Sequence, residues 1–171
     1  MIYILLWLII VLQRVIELIY AKRNESRMKE QGAKVIQEDL YVWIVRTHIA
    51  FLLAILLEAY KSHQFSASIQ QVWLVLFIFL QAIRMWCIQS LGQHWNTKII
   101  VLPGIHLVKK GPYKWIRHPN YLVVGLEFMI IPLLFKAYMS AFIFPVLHLA
   151  LMSIRIPLEE RTLQALTEEN D

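Results

Sequence analysis

Two stretches of the chain carry the groups that could do chemistry. The first is Gly111-Pro-Tyr-Lys-Trp-Ile-Arg-His-Pro-Asn-Tyr121, a stiff, basic and aromatic run leading into an apolar segment. Pro119 biases His118 away from the α region, so Arg117 and His118 are expected to be presented from a bend. The second is Arg155-Ile-Pro-Leu-Glu159-Glu160-Arg161. Arg155 and Glu159 are four apart and share a face if the helix continues through Pro157. Pro157 could instead kink that helix or open a new one as its first residue. In either case Glu159 and Glu160 fall in an early turn, where the helix dipole favours carboxylates.

The guanidinium of Arg155 can grip a carboxylate through two parallel bonds. It equally favours the ionised form of a phenol or enol placed beside it. A carboxylate is already ionised at neutral pH, whereas a phenol needs a base. His118 and Glu160 are the candidates for that role. A plainer reading stands beside this one. Tyr113, Trp115 and Tyr121 could form an interfacial aromatic belt, with Arg117 and His118 as loop charges and the tail as a solvated helix end.

The composition places these clusters next to lipid. Hydrophobic residues make up 58% of the 171-residue chain, above the roughly 45–50% of soluble domains. Apolar segments at residues 2–20, 41–60, 72–91, 121–135 and 138–154 predict about five membrane-spanning helices, the last two forming a tight hairpin around Lys136. Pro132 and Pro145 lie inside its two arms. The segment after Ile2 lacks a basic n-region and a small-residue cleavage site, so it is expected to be retained as the first span. The expected fold is thus an all-α polytopic membrane protein. Residues 1–70 hold two N-terminal helices, and residues 71–171 hold a core of one span, a cytoplasmic connector, the hairpin and a charged tail.

The net charge is +5. Lys22, Arg23, Arg27, Lys29 and Lys34 fall in one connector, and Lys98, Lys109, Lys110, Lys114 and Arg117 in another. Only Lys61 and Lys136 lie on the opposite side. The positive-inside rule then puts the N-terminus outside, with both long connectors and the C-terminus in the cytoplasm. The charge forms no stripe outside these loops, which argues against nucleic acid. Cys87 is the only cysteine, excluding an intrachain disulfide and a thiolate zinc cage. The six histidines form no H-x-x-x-H or H-E-x-x-H pattern, so no metal site is expected. No G-x-G-x-x-G follows a strand pattern, and no nucleophilic serine or cysteine motif is evident.

Polar residues inside the spans need separate explanations. Arg14, Arg46 and Arg84 lie near cytoplasmic ends and are expected to snorkel to the interface. Arg14 and Glu17, three apart, can pair. His48 is expected to be packed, and Glu58 to sit near the outer edge. Glu127 lies about two turns into the fourth span and must face protein or a wet cavity, serving either structure or substrate.

Leu91-Gly-Gln-His-Trp95, His106-Leu-Val, Gly111-Pro-Tyr113, Arg117-His-Pro-Asn-Tyr121 and Arg155-x-x-x-Glu159-Glu160 occur in an order and spacing that resembles the isoprenylcysteine carboxyl methyltransferase family. The likeness covers roughly residues 72–166 and is closest to the compact bacterial type. In looser form the motif is shared with phospholipid N-methyltransferases and some sterol reductases. The resemblance implies S-adenosylmethionine as methyl donor, leaving S-adenosylhomocysteine. It implies that Ile105, His106, Leu107 and Val108 line the cofactor and that Tyr113 is an aromatic contact. His118, Pro119, Asn120 and Tyr121 would clasp the cofactor's polar end, with Glu159 as a binding carboxylate and Glu160 beside it. Arg155 would orient the acceptor, with Glu127 a further candidate on the acceptor side. Arg155 and Glu160 are the candidate catalytic residues. The implied acceptor is lipidic or lipidated, enters sideways from the bilayer of a bacterial plasma membrane and offers an acidic oxygen. The rival readings are a phospholipid N-methyltransferase and a non-enzymatic scaffold or small transporter.

Overall fold

The computed structural model describes residues 2–61, 70–102 and 108–168. Five α-helices follow one another: α1 (Ile2–Glu30), α2 (Asp39–Lys61), α3 (Gln71–Leu91), α4 (Pro119–Leu134) and α5 (Tyr138–Glu168). Four of them, α1, α2, α3 and α5, are long and apolar enough to cross a membrane. With 16 residues, α4 is only about 24 Å long. It compensates by being central, packing against α3 and α5, while α5 also packs against α2. Tyr3, Ile10, Phe51, Ile55, Phe128, Leu134 and Phe135 form the buried centre. Leu5, Leu12, Ile16, Leu57, Phe79, Phe142 and Leu149 face outward, as they would towards lipid. The architecture is the expected all-α membrane protein.

The hairpin between α4 and α5 turns at Lys136, as its sequence suggests. Lys136 adopts the left-handed region at φ 56°. The Ala137 N–H donates to the Pro132 carbonyl (2.8 Å) and the Lys136 N–H to that of Leu133 (3.1 Å), a Schellman closure made without glycine. The exposed start of α5 is capped from another helix. Glu58 of α2 accepts from the N–H groups of Met139 (2.9 Å) and Ser140 (3.0 Å) and from Ser140 Oγ (2.8 Å). Pro145 and Pro157 both lie within α5, which continues through each.

Two features of the side bearing the long connectors differ from expectation. First, α1 does not stop at the end of its apolar run but continues to Glu30. Ala21, Asn24 and Met28 are buried on one face of this extension, and its charged face is held by Glu25 pairing with Lys29 (2.6 Å) and Lys98 (2.9 Å). Gly32, at φ 89°, then terminates the helix. Second, the two connectors are joined. Lys34–Val35 (β1) pairs antiparallel with Ile100–Val101 (β2), a two-residue ribbon that carries no sequence signal at this length. Asn24 Nδ2 donates to the carbonyls of Gly92 (3.0 Å) and Trp95 (2.8 Å), and Asn96 Nδ2 to that of Ala21 (3.1 Å). Trp95 is buried and stacks on Tyr20.

Arg14 and Arg84 correct the snorkelling expectation. Arg84 is buried within the bundle, its Nε and Nη2 donating to Glu17 (2.7 and 2.6 Å) and its Nη1 to Glu127 (2.9 Å). Arg14 pairs with the same two carboxylates, at 3.0 Å to Glu17 and 2.8 Å to Glu127. Gln13 and Gln81 add hydrogen bonds around the group. Two cations and two anions cancel, and each can stay charged away from water because its partners supply the bonds lipid cannot. Position along a span did not reveal this, because partners approach laterally from three different helices. Arg46 is exposed and lies over Trp43, as an interfacial residue would. His48 is packed against Phe128, with Nδ1 2.8 Å from the Ile44 carbonyl.

Removing Arg84 should leave two buried carboxylates sharing one cation. Arg84→Met is expected to cost about 3–5 kcal/mol, read as a lowered Tm in mild detergent, with a smaller loss for Glu127→Gln. Gly111 has φ 53°, and a Cβ there would run into Ser90 Oγ. Gly111→Ala should therefore also lower the Tm, with the backbone contributing about 1–2 kcal/mol; Gly111→Ala/Ser90→Ala should recover only the steric part.

Candidate functional site

Pro119 opens α4, leaving His118 in a non-helical conformation at the bend (φ −125°, ψ 60°). The preceding turn, Gly111–Lys114, packs on α3 near Trp86 and Ser90. The bend thereby places His118 and Tyr121 against the C-terminal part of α5. Their rings stack with centroids 5.4 Å apart.

Tyr121 is the hinge of the site. Its hydroxyl donates to Glu159 Oε2 at 2.5 Å and accepts from Arg155 Nε at 3.0 Å. One phenol thus joins the two α5 residues whose common face Pro157 had put in question. His148, one further turn-pair back on α5, lies 3.0 Å from the Tyr121 carbonyl through Nε2. A carbonyl only accepts, so Nε2 carries the proton. Gly125 leaves room for that ring: a Cβ there would lie 3.1 Å from His148 Cδ2.

Arg155 is buried, and its guanidinium is engaged on every side. Nη2 donates to the Thr97 carbonyl (2.9 Å), fixing the second connector, and Nη1 lies 2.7 Å from Glu38 Oε1. The Arg155 and Glu38 side chains are 3% and 4% exposed, so this pair is shielded from solvent screening. Burial pushes the Glu38 carboxyl above its ordinary range, opposed by the Arg155 charge and assisted by that of Glu159.

Glu160 occupies the rim. Its Oε1 lies 3.3 Å from His118 Nε2 and 3.4 Å from Arg117 Nη1, and Arg117 itself is largely exposed. Asn120 Oδ1 is buried with no hydrogen bond among the described residues. Tyr113 is half-buried, and burial raises its phenol above the ordinary value, so it stays protonated.

The structure therefore brings Tyr121, Arg155 and Glu159 into direct contact and sets His118, Glu160 and Asn120 around them. Pro119 serves through the backbone. Val108 is half-buried in the connector, while Ile105, His106 and Leu107 lie outside the described residues. Glu127 stands apart from this cluster, its oxygens engaged by Arg14, Arg84 and Gln81. It also borders a small cavity with Arg14, His48, Phe51, Leu52, Val124 and Phe128. Glu38 and His148 were not singled out from the sequence. Glu38 adjoins Asp39 at a helix start, where an acidic residue passes as dipole compensation. His148 lies seven residues before Arg155, a helical spacing that could have placed both on one face.

The family model described as isoprenylcysteine carboxyl methyltransferase (ICMT) family matches residues 73–165, from α3 to the end of the site on α5. Over 160 residues the chain is 42% identical to a Bacillus subtilis (strain 168) protein named uncharacterized protein YpbQ, covering 94% of this chain and 95% of that one. An uncharacterized protein of Haemophilus influenzae is 28% identical over 145 residues, 84% of each chain. No solved structure matches the chain. The matched region contains the bend, the hairpin and the Arg155–Glu160 cluster, and the chain belongs to the isoprenylcysteine carboxyl methyltransferase family of integral membrane methyltransferases.

Proposed function

We propose that the protein transfers a methyl group from S-adenosylmethionine to an acidic oxygen of a lipophilic acceptor that enters from the bilayer. The observation that carries this reading is the contact of Tyr121 with both Arg155 and Glu159, beside the half-open bend at His118–Asn120. The cofactor has an ammonium, a carboxylate and ribose hydroxyls, and the site offers partners for each. Glu159 Oε1 makes no hydrogen bond among the described residues, and Asn120 Oδ1 is a buried acceptor without a donor. Both suit the ammonium or a ribose hydroxyl. Arg117 supplies positive charge for the carboxylate, with the His118 ring beside it. When bound, the cofactor supplies an electrophilic methyl group on a sulfonium, so the chain need not provide a covalent nucleophile.

What the residues contribute is position and charge. The Tyr121 hydroxyl, held from both sides, fixes the orientation of Glu159. Arg155, anchored to Tyr121 and Thr97, sets a positive charge where acceptor oxygen would develop nucleophilic character. Holding donor and acceptor in attack geometry can supply about 7–11 kcal/mol. The outward apolar faces of α2, α4 and α5 give a long-chain acceptor a route that never leaves lipid. The charge distribution supports an N-terminus outside and the site on the cytoplasmic side, in a bacterial plasma membrane by analogy with the two relatives.

Purified protein in mild detergent should bind S-adenosylhomocysteine, and Tyr121→Phe and Glu159→Ala should each weaken binding at least about tenfold, the loss of one or two charge-assisted hydrogen bonds. Isothermal titration reads this directly. Equal, negligible binding by all three proteins would favour a scaffold. Membranes given labelled cofactor and a mixed lipid panel should place label in an O-methyl product. Label in phosphatidylethanolamine instead would establish the N-methyl reading.

A further inference from the structure

The acceptor side of the site contains a carboxylate that neither the sequence motifs nor the matched family region supplies. Glu38 belongs to the first connector, ahead of residues 73–165. The β1–β2 ribbon and the Ile36 N–H bond to the Ile99 carbonyl (3.0 Å) bring that connector against the second one. There, Glu38 Oε1 meets Arg155 Nη1 at 2.7 Å. The contact is a close, buried ion pair in which Arg155 and the Ile99 backbone offset part of the cost of burying the Glu38 carboxylate. Burial still outweighs these contacts and favours a proton on this carboxyl.

The pair changes what Arg155 can hold. Its three nitrogens already face Tyr121, Thr97 and Glu38, so no two-pronged face is open to a carboxylate. An incoming carboxylate would also meet Glu38 and Glu159 as like charges. A neutral hydroxyl meets no such penalty, and its proton can be taken by Glu38, which burial already disposes to bind one. His118 and Glu160, the other groups able to accept a proton, are occupied with each other at the rim.

We propose that Glu38 is the proton acceptor for an un-ionised hydroxyl on the methyl acceptor, a phenol or enol on a long apolar chain, and that it selects this class over carboxylates. This rests on the methyl-transfer reading above. In the step, the acceptor O–H breaks and its proton goes to Glu38. The oxygen lone pair forms the new O–CH3 bond as the sulfonium S–CH3 bond breaks, returning that electron pair to sulfur. One cation is consumed and one proton released, so charge balances. The positive charge of Arg155 nearby stabilises the developing oxyanion, and Glu38 returns its proton to water once product leaves. The charged groups acting on Glu38 are Arg155 and Glu159 on α5, and burial holds the Glu38 carboxyl above the ordinary range. Phenol methylation should therefore increase with pH as Glu38 ionises.

The test uses full-length protein in detergent with cofactor and two probes, a pentadecyl-substituted phenol and palmitate. Wild type should methylate the phenol in preference. Glu38→Gln should lower the phenol rate about 100-fold at pH 7, with the deficit closing towards about pH 10 as the phenol ionises unaided. Glu38→Asp should keep more phenol activity than Glu38→Gln. Binding of S-adenosylhomocysteine by each variant reports that it is folded. A Glu38→Gln rate within about threefold of wild type, with the same pH profile, would overturn the proposal, as would a wild-type preference for palmitate, which leaves the methyl-transfer reading standing. Transfer to neither probe would overturn that reading and this inference together.

Discussion

A buried guanidinium sets the arrangement of the half of this protein that carries the two long connectors. Arg155 cannot be left unsatisfied beside lipid, and no single segment can satisfy it. It takes one acceptor from α4 through Tyr121, one from the second connector through Thr97 and one counter-charge from the first connector through Glu38. Four segments far apart in sequence are thus held at one point. The ribbon, the Asn24 bonds and the bend at His118 can be understood as what brings those acceptors within reach.

The same electrostatic rule operates deeper in the bundle with the opposite purpose. Around Arg84 the charges cancel two for two, and Gln13 and Gln81 occupy neighbouring hydrogen-bonding positions. That group is closed and structural. The Arg155 cluster is less complete: among the described residues, Asn120 Oδ1 and one oxygen of Glu159 retain acceptor capacity. Incomplete satisfaction in one polar cluster, next to full satisfaction in another, marks where a ligand would be received.

The spans, the Lys136 hairpin and the shared face of Arg155 and Glu159, which Tyr121 joins only through the family resemblance, could be read from the sequence because each has a local signal: a long apolar run, a polar residue between two such runs, or a helical four-residue spacing. Pro157 left the last of these open, and the helix passes through it because a proline removes only one backbone bond, to the carbonyl four residues before. Other parts had no such signal. Asn24 and Glu38 sit among charged connector residues, where nothing separates a buried polar group from a solvated one. Arg14 and Arg84 look interfacial when distance is counted along a helix, since their partners come from neighbouring helices. The N-terminal segment, which reads only as apolar spans and connector, provides groups essential to the site's geometry.

The cap on α5 has a mechanical consequence. Glu58 holds the helix at Met139 and Ser140, on the side of the membrane away from the site, while Arg155 holds it at the site. Fifteen residues separate Ser140 from Arg155, about 22 Å of helix. With both ends pinned, α5 behaves as a strut of fixed length. The position of Arg155 and Glu159 is therefore referred, through one helix, to a cap on the far side of the bundle.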